Sequence, residues 1–129
     1  MDKLIEKVLN ILHDLPEIDY EYSDDSIIVI PQGKNGFPVS LKVHDDNHFT
    51  VGFDLWHEEF DNEDEALKCF TFGFSRECRL KITKRGNRAY KWTVEYKDSE
   101  SWKEDSTTGL FIFRFWRKKT YEYLQNDLL

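Results

Sequence analysis

Two clusters in this chain combine residue types able to do chemistry. The first is His44-Asp45-Asp46-Asn47-His48, two imidazoles and two carboxylates within five positions. Imidazole and carboxylate donors hold zinc and related ions, so this is the stretch to inspect for metal. Asp and Asn in a turn also satisfy the backbone locally, and that simpler reading is preferred for His44 and His48. No metal and no other cofactor is assigned. The second cluster is Trp56-His57-Glu58-Glu59-Phe60. It superficially resembles a zinc-protease helix, but the second histidine at helical spacing is missing. His57 beside two carboxylates would suit acid–base work. An exposed acidic loop before a helix explains it more simply, and no enzymatic activity is expected.

Acid is the dominant feature of this region. Asp54, Glu58, Glu59, Asp61, Glu63, Asp64 and Glu65 fall within twelve positions, with Trp56 and Phe60 among them. Part of that charge complements the positive end of a helix that starts near residue 61. The rest suits a docking surface, with aromatic anchors at its centre and acids at its rim. The residues expected to touch a partner are Trp56, Glu58, Glu59, Phe60, Asp61 and Asp64. An opposite surface is expected on the last strands. Arg79, Lys81, Lys91 and Arg114 share the outward parity there, with Trp116 near. Lys91, Arg114 and Trp116 would bind a small anionic ligand or single-stranded nucleic acid. Cross-strand pairing with Glu95 and Asp54 is the simpler use of those cations.

Other chemistries find no support. There is no phosphate-cradling glycine loop and no serine nucleophile elbow. Cys69 and Cys78 have no histidine close in sequence. They read as small core residues of a reduced, cytoplasmic protein, with no disulfide expected.

These residues need a scaffold. The stretch 110–116, Leu-Phe-Ile-Phe-Arg-Phe-Trp, reads as a central strand: Phe111, Phe113 and Phe115 on one face, Leu110, Ile112, Arg114 and Trp116 on the other. Residues 2–15 form an amphipathic helix through Leu4, Ile5, Val8, Leu9, Ile11, Leu12 and Leu15, capped by Asp2 and stopped at Pro16. An acidic linker or edge strand follows at 17–25. Strands at 26–31, 37–43 and 49–55 then make a meander, with Phe37, Val39, Leu41, Val43, Phe49, Val51, Phe53 and Leu55 inward. Trp56 falls on the outward parity with His48 and Thr50. A second helix, with Asn62 and Glu65 as a capping box, is expected to about residue 76, although 70–74 also reads as a strand. Cys78, Leu80 and Ile82 alternate against Tyr90, Trp92, Val94 and Tyr96 across a turn at 84–87, a clear hairpin. A polar loop at 97–109, the central strand and a short C-terminal helix through Tyr121, Leu124 and Leu128 complete the chain.

The expected fold is therefore α+β: one domain over 1–129, with an antiparallel sheet of about six strands, helices on one face, and order α-βββ-α-βββ-α. In outline this order is similar to that of type III secretion chaperones, which implies a chaperone-like escort as one reading. Composition narrows the rest. Lys and Arg number 18 against 25 Asp and Glu, a net charge of −7, which disfavours nucleic acid and suits a basic protein partner. Ten Phe, six Tyr and four Trp supply a core despite the polar average. No secretory signal or membrane-spanning run is expected. Together these features point to a non-enzymatic protein-interaction module, most concretely an immunity-type inhibitor of a basic toxin domain.

Overall fold

A computed structural model of the chain describes residues 2–15, 18–31, 33–45, 47–109 and 119–126. The elements run α1 (Lys3–His13), β1 (Asp19–Tyr22), β2 (Ser26–Ile30), β3 (Val39–Asp45), β4 (His48–Phe53), β5 (Trp56–Phe60), α2 (Glu63–Phe72), β6 (Cys78–Arg85), β7 (Arg88–Asp98), β8 (Ser101–Gly109) and β9 (Lys119–Leu124). The strands form two antiparallel sheets rather than one, ordered β1-β2-β3-β4-β5 and β8-β7-β6-β9. The α+β class stands. The expected order and the count of about six strands are replaced by two helices and nine strands among the described residues. The stretch 110–116, with Arg114 and Trp116, lies outside the described residues, as does Leu128.

Helix α1 follows its apolar spacing. Leu4, Ile5, Val8 and Leu12 are buried, and the Asp2 carboxylate accepts from Leu4 N at 2.8 Å to cap the first turn. The meander β2–β4 also follows its alternation, with Ile27, Val29, Val39, Leu41, Val43, Phe49, Val51 and Phe53 all buried. The acidic residues before it form the edge strand β1, where charge discourages pairing with another chain.

The first departure follows Phe53. Asp54 adopts φ 56° and, with Leu55, makes a two-residue turn that pairs Phe53 with Trp56. Leu55 is thereby thrown outward, 59% exposed, while Trp56 is 1% exposed and stacks on Phe53 at 4.6 Å. Reading 49–55 as one uninterrupted strand inverts both side chains, because a tight reversal restarts the alternation.

Helix α2 lies against β3, β4 and β5 and is capped by Asn62, whose Oδ1 accepts from Glu65 N at 3.0 Å. It ends at Phe72, short of residue 76, and residues 70–74 are helix and turn rather than strand. Gly73 is required there by packing: a Cβ at this position would lie 2.7 Å from the Phe53 ring and 3.0 Å from Val39.

In the second sheet the β6–β7 hairpin is as expected, with Leu80 opposite Val94, Ile82 opposite Trp92, and Gly86 at φ 62° in the turn. The polar segment expected as a loop is strand β8, reached through a turn with Ser99 at φ 58°. Its alternation is hidden because neither face is apolar; the β7 ladder orders it. Likewise the segment expected as a C-terminal helix is strand β9, paired along β6 from Arg85↔Lys119 to Leu80↔Leu124. Its Thr and Tyr residues suit a strand, and a neighbour in the sheet decides the matter.

One buried cluster joins α1, both sheets and α2. Asn126, just beyond β9, fastens it. Its Oδ1 accepts from Phe37 N at 3.0 Å, and its Nδ2 donates to Phe37 O at 2.9 Å and Gly73 O at 3.0 Å.

Candidate functional site

The acidic segment begins as strand β5, an end strand of its sheet, and continues into the first turn of α2. Alternation in β5 divides its side chains. His57 and Glu59 share the outer face, while Trp56, Glu58 and Phe60 share the inner parity. Trp56 is consequently part of the core, and its expected role as an exposed anchor is corrected. Its Nε1 donates to Ser106 Oγ at 3.0 Å, so even its polar edge is used inside the protein. Phe60 is half-buried and packs against the core cluster. Glu58, Glu59, Asp61, Glu63, Asp64 and Glu65 are exposed. Glu59 pairs with His48.

Glu58 sits where β5 approaches β8. Partial desolvation, followed by the negative charge of Asp105, pushes its carboxyl above the ordinary value. The neighbouring thiols feel the same surroundings. Burial, then Glu58 and Asp105, push Cys69 up to about 12, and Cys78 is raised mainly by burial. Both cysteines are free and are held as inert thiols.

The acids Asp61 and Glu63 open onto a cavity of about 550 Å³ together with Asp2 and Asp45, with Leu4 and Phe49 also in its lining. Four acidic residues line it against one cation, Lys3; the Asp2 carboxylate accepts from Leu4 N and Asp45 Oδ1 from Asn47 N. Asp2 and Asn62 cap their helices and both line this cavity, so the two helix N-termini lie beside it. Sequence reading found Asp61 but missed Asp2, Asp45 and Glu63 as its companions. Asp61 and Glu63 belong to the acidic run already noted, but Asp2 and Asp45 come from two other stretches, and no spacing rule joins the three.

The two turn histidines are also brought together. The rings of His44 and His48 lie 4.6 Å apart, and His48 Nε2 is 3.3 Å from Glu59 Oε1. His44 Nε2 shares a hydrogen bond with Thr50 Oγ1 at 2.7 Å. His57 is placed differently. Its backbone N–H and carbonyl both bond the Thr108 hydroxyl, and its ring faces the Leu55 carbonyl.

The basic residues of the second sheet are engaged within the protein. Arg79 lies between the rings of Trp102 and Tyr123, at 4.4 and 4.3 Å, and pairs with Glu95 at 2.5 Å. Lys81 stacks on Tyr121 and reaches Glu104 at 3.5 Å, and Lys84 pairs with Glu122. Lys91 is half-buried opposite Thr83 and Gly109. The expected cross-strand pairing through Glu95 is present. Asp54 lies in the β4–β5 turn of the other sheet. Among the described residues no helix is long and apolar enough to cross a membrane.

Comparison of the chain with protein-family models, with curated proteins and with solved structures found no match.

Proposed function

We propose that this chain is a non-enzymatic interaction module that docks a basic segment of another protein at its acidic end, most concretely as an immunity-type inhibitor of a basic toxin domain. The observation that carries this reading is that Asp2, Asp45, Asp61 and Glu63 line one cavity, while Glu58, Glu59 and Asp64 of the same β5–α2 segment are exposed. Carboxylates held at one end of a protein of net charge −7 raise the local concentration of a cationic partner and speed encounter. A concave site would also admit a lysine or arginine side chain between several acceptors.

With Trp56 inside the core, charge rather than aromatic burial has to supply most of the recognition. Binding is then strongly salt-sensitive. The test is association kinetics with a protein captured from the native cell, at low and high salt. A triple variant, Glu58→Lys, Glu59→Lys and Asp61→Lys, is measured alongside. The on-rate is expected to fall about tenfold or more with salt and with charge reversal. On-rates indifferent to both would sink the proposal.

The second reading, ligand binding on the outer sheet face through Lys91, Arg114 and Trp116, rests on two residues outside those described; the neighbouring Arg79 and Lys81 already have acidic and aromatic partners. A chaperone-like role would need a broad apolar groove. Among the described residues, Tyr22 and Ile28 line a shallow groove of about 410 Å³ across β1–β3, with Ile30 exposed nearby on β2, smaller than such a role needs.

A further inference from the structure

His44, His48 and Glu59 come from three neighbouring strands and meet on the outer face of the five-stranded sheet. Their position follows from the register. Val43 pairs with Phe49 and Asp45 with His48, so the ladder shifts between Val43 and Asp45. This irregularity places His44 beside His48 instead of leaving them apart across an open turn. One strand further, Thr50 pairs with Glu59, which puts the carboxylate next to His48.

One potential donor atom from each of the three side chains lies within 4.8 Å of the other two. A four-coordinate zinc ion with ligands at about 2.0–2.1 Å holds its donors about 3.4 Å apart. The 3.3 Å between His48 Nε2 and Glu59 Oε1 is that spacing already. His44 has to close by no more than about 1.4 Å to join them. Its exposed side chain can do so by rotation about χ1 and χ2.

We propose that His44, His48 and Glu59 form a binding site for a divalent first-row transition ion, of which zinc is the representative. Two imidazoles and one carboxylate suit zinc, cobalt, nickel or copper better than magnesium or calcium, which prefer all-oxygen shells. Water completes the coordination, because the site faces solvent. The ion ties the irregular β3–β4 turn to β5. Glu59 is shared with the docking surface, but the metal site rests on different observations and is measured without a partner protein.

The test is a calorimetric titration of zinc into the purified, metal-free chain. One ion per chain is expected to bind. His48→Ala and Glu59→Gln should each weaken it about tenfold or more. His57→Ala should leave it unchanged. Glu59 is exposed, so Glu59→Gln preserves the fold even if a histidine variant does not. Imidazole NMR signals of His44 and His48 should shift on zinc addition while those of His13 and His57 stay. Cobalt should give a d–d spectrum without a thiolate charge-transfer band, which separates this site from Cys69 and Cys78. No binding at millimolar zinc, or binding untouched by both His48→Ala and Glu59→Gln, overturns the assignment.

Discussion

The indole N–H of Trp56 donates to Ser106 Oγ at 3.0 Å, and this bond joins the end strand of one sheet to the end strand of the other. Thr108 repeats the link one step further along, accepting from His57 N and donating to His57 O. Ser106→Ala leaves a buried donor without an acceptor and should lower unfolding free energy by about 1–3 kcal/mol. Trp56→Ala also removes the ring stacked on Phe53 and should lose about 3–5 kcal/mol. Denaturant titration measures both. If Trp56→Ala were nearly neutral, the placement of this side chain in the core would be wrong.

Asn126 offers a second test, because one amide bonds Phe37 twice and Gly73 once. It is 5% exposed, so water cannot replace what the side chain supplies. Asn126→Ala should lose about 2–4 kcal/mol, most of it from unpaired backbone groups. Amide exchange at Phe37 should quicken in the variant. Unchanged protection would show that the clamp carries no load.

The Arg79–Glu95 pair is the most enclosed ion pair described, with the Glu95 side chain 7% exposed. Arg79→Met leaves the enclosed Glu95 carboxylate unpaired and should cost about 3–5 kcal/mol. Replacing both partners with apolar residues should recover much of that loss, since the cost lies in the unpaired charge. Arg79→Lys should not be conservative, because an ammonium cannot stack flat between two rings. A double-mutant cycle by thermal melting decides the coupling.

The thiols predict a pH effect of definite sign. Cys69 is raised from 9.0 to about 12 in the folded chain. A raised pKa means the fold favours the neutral thiol. That stability is fully present below about pH 9 and is lost as pH rises toward 12. Cys69→Ala should therefore flatten the alkaline decline in stability relative to the parent chain. At pH 8 both native thiols should react slowly with a disulfide reagent and quickly once denatured. Fast native labelling would contradict their burial.

Several elements were legible from local pattern alone. Leu4, Ile5, Val8 and Leu12 recur at helical spacing and are buried in α1. Val39, Leu41 and Val43, then Phe49, Val51 and Phe53, alternate and face inward. The hairpin of Cys78, Leu80 and Ile82 with Trp92 and Val94 was equally plain. The side of Trp56 was not, because a reversal at Asp54-Leu55 carries an apolar residue where glycine or asparagine would signal a turn. Strand β8 and strand β9 were hidden for a related reason. Ser101–Gly109 has no apolar face, and the residues of β9 fit a helical stripe until β6 lies beside them.

The amino-acid order by itself determined the α+β class, the acidic balance, the caps at Asp2 and Asn62, and which side of each regular strand is apolar. These follow from interactions between residues a few positions apart, where periodicity and capping act. Tertiary structure alone decided that the nine strands among the described residues divide between two sheets. It also decided that Trp56 turns inward, that acids from three distant segments share one cavity, and that Glu59 joins His44 and His48. Each of these depends on strand register and on which edge meets which, and such pairings are selected by burial across the whole chain.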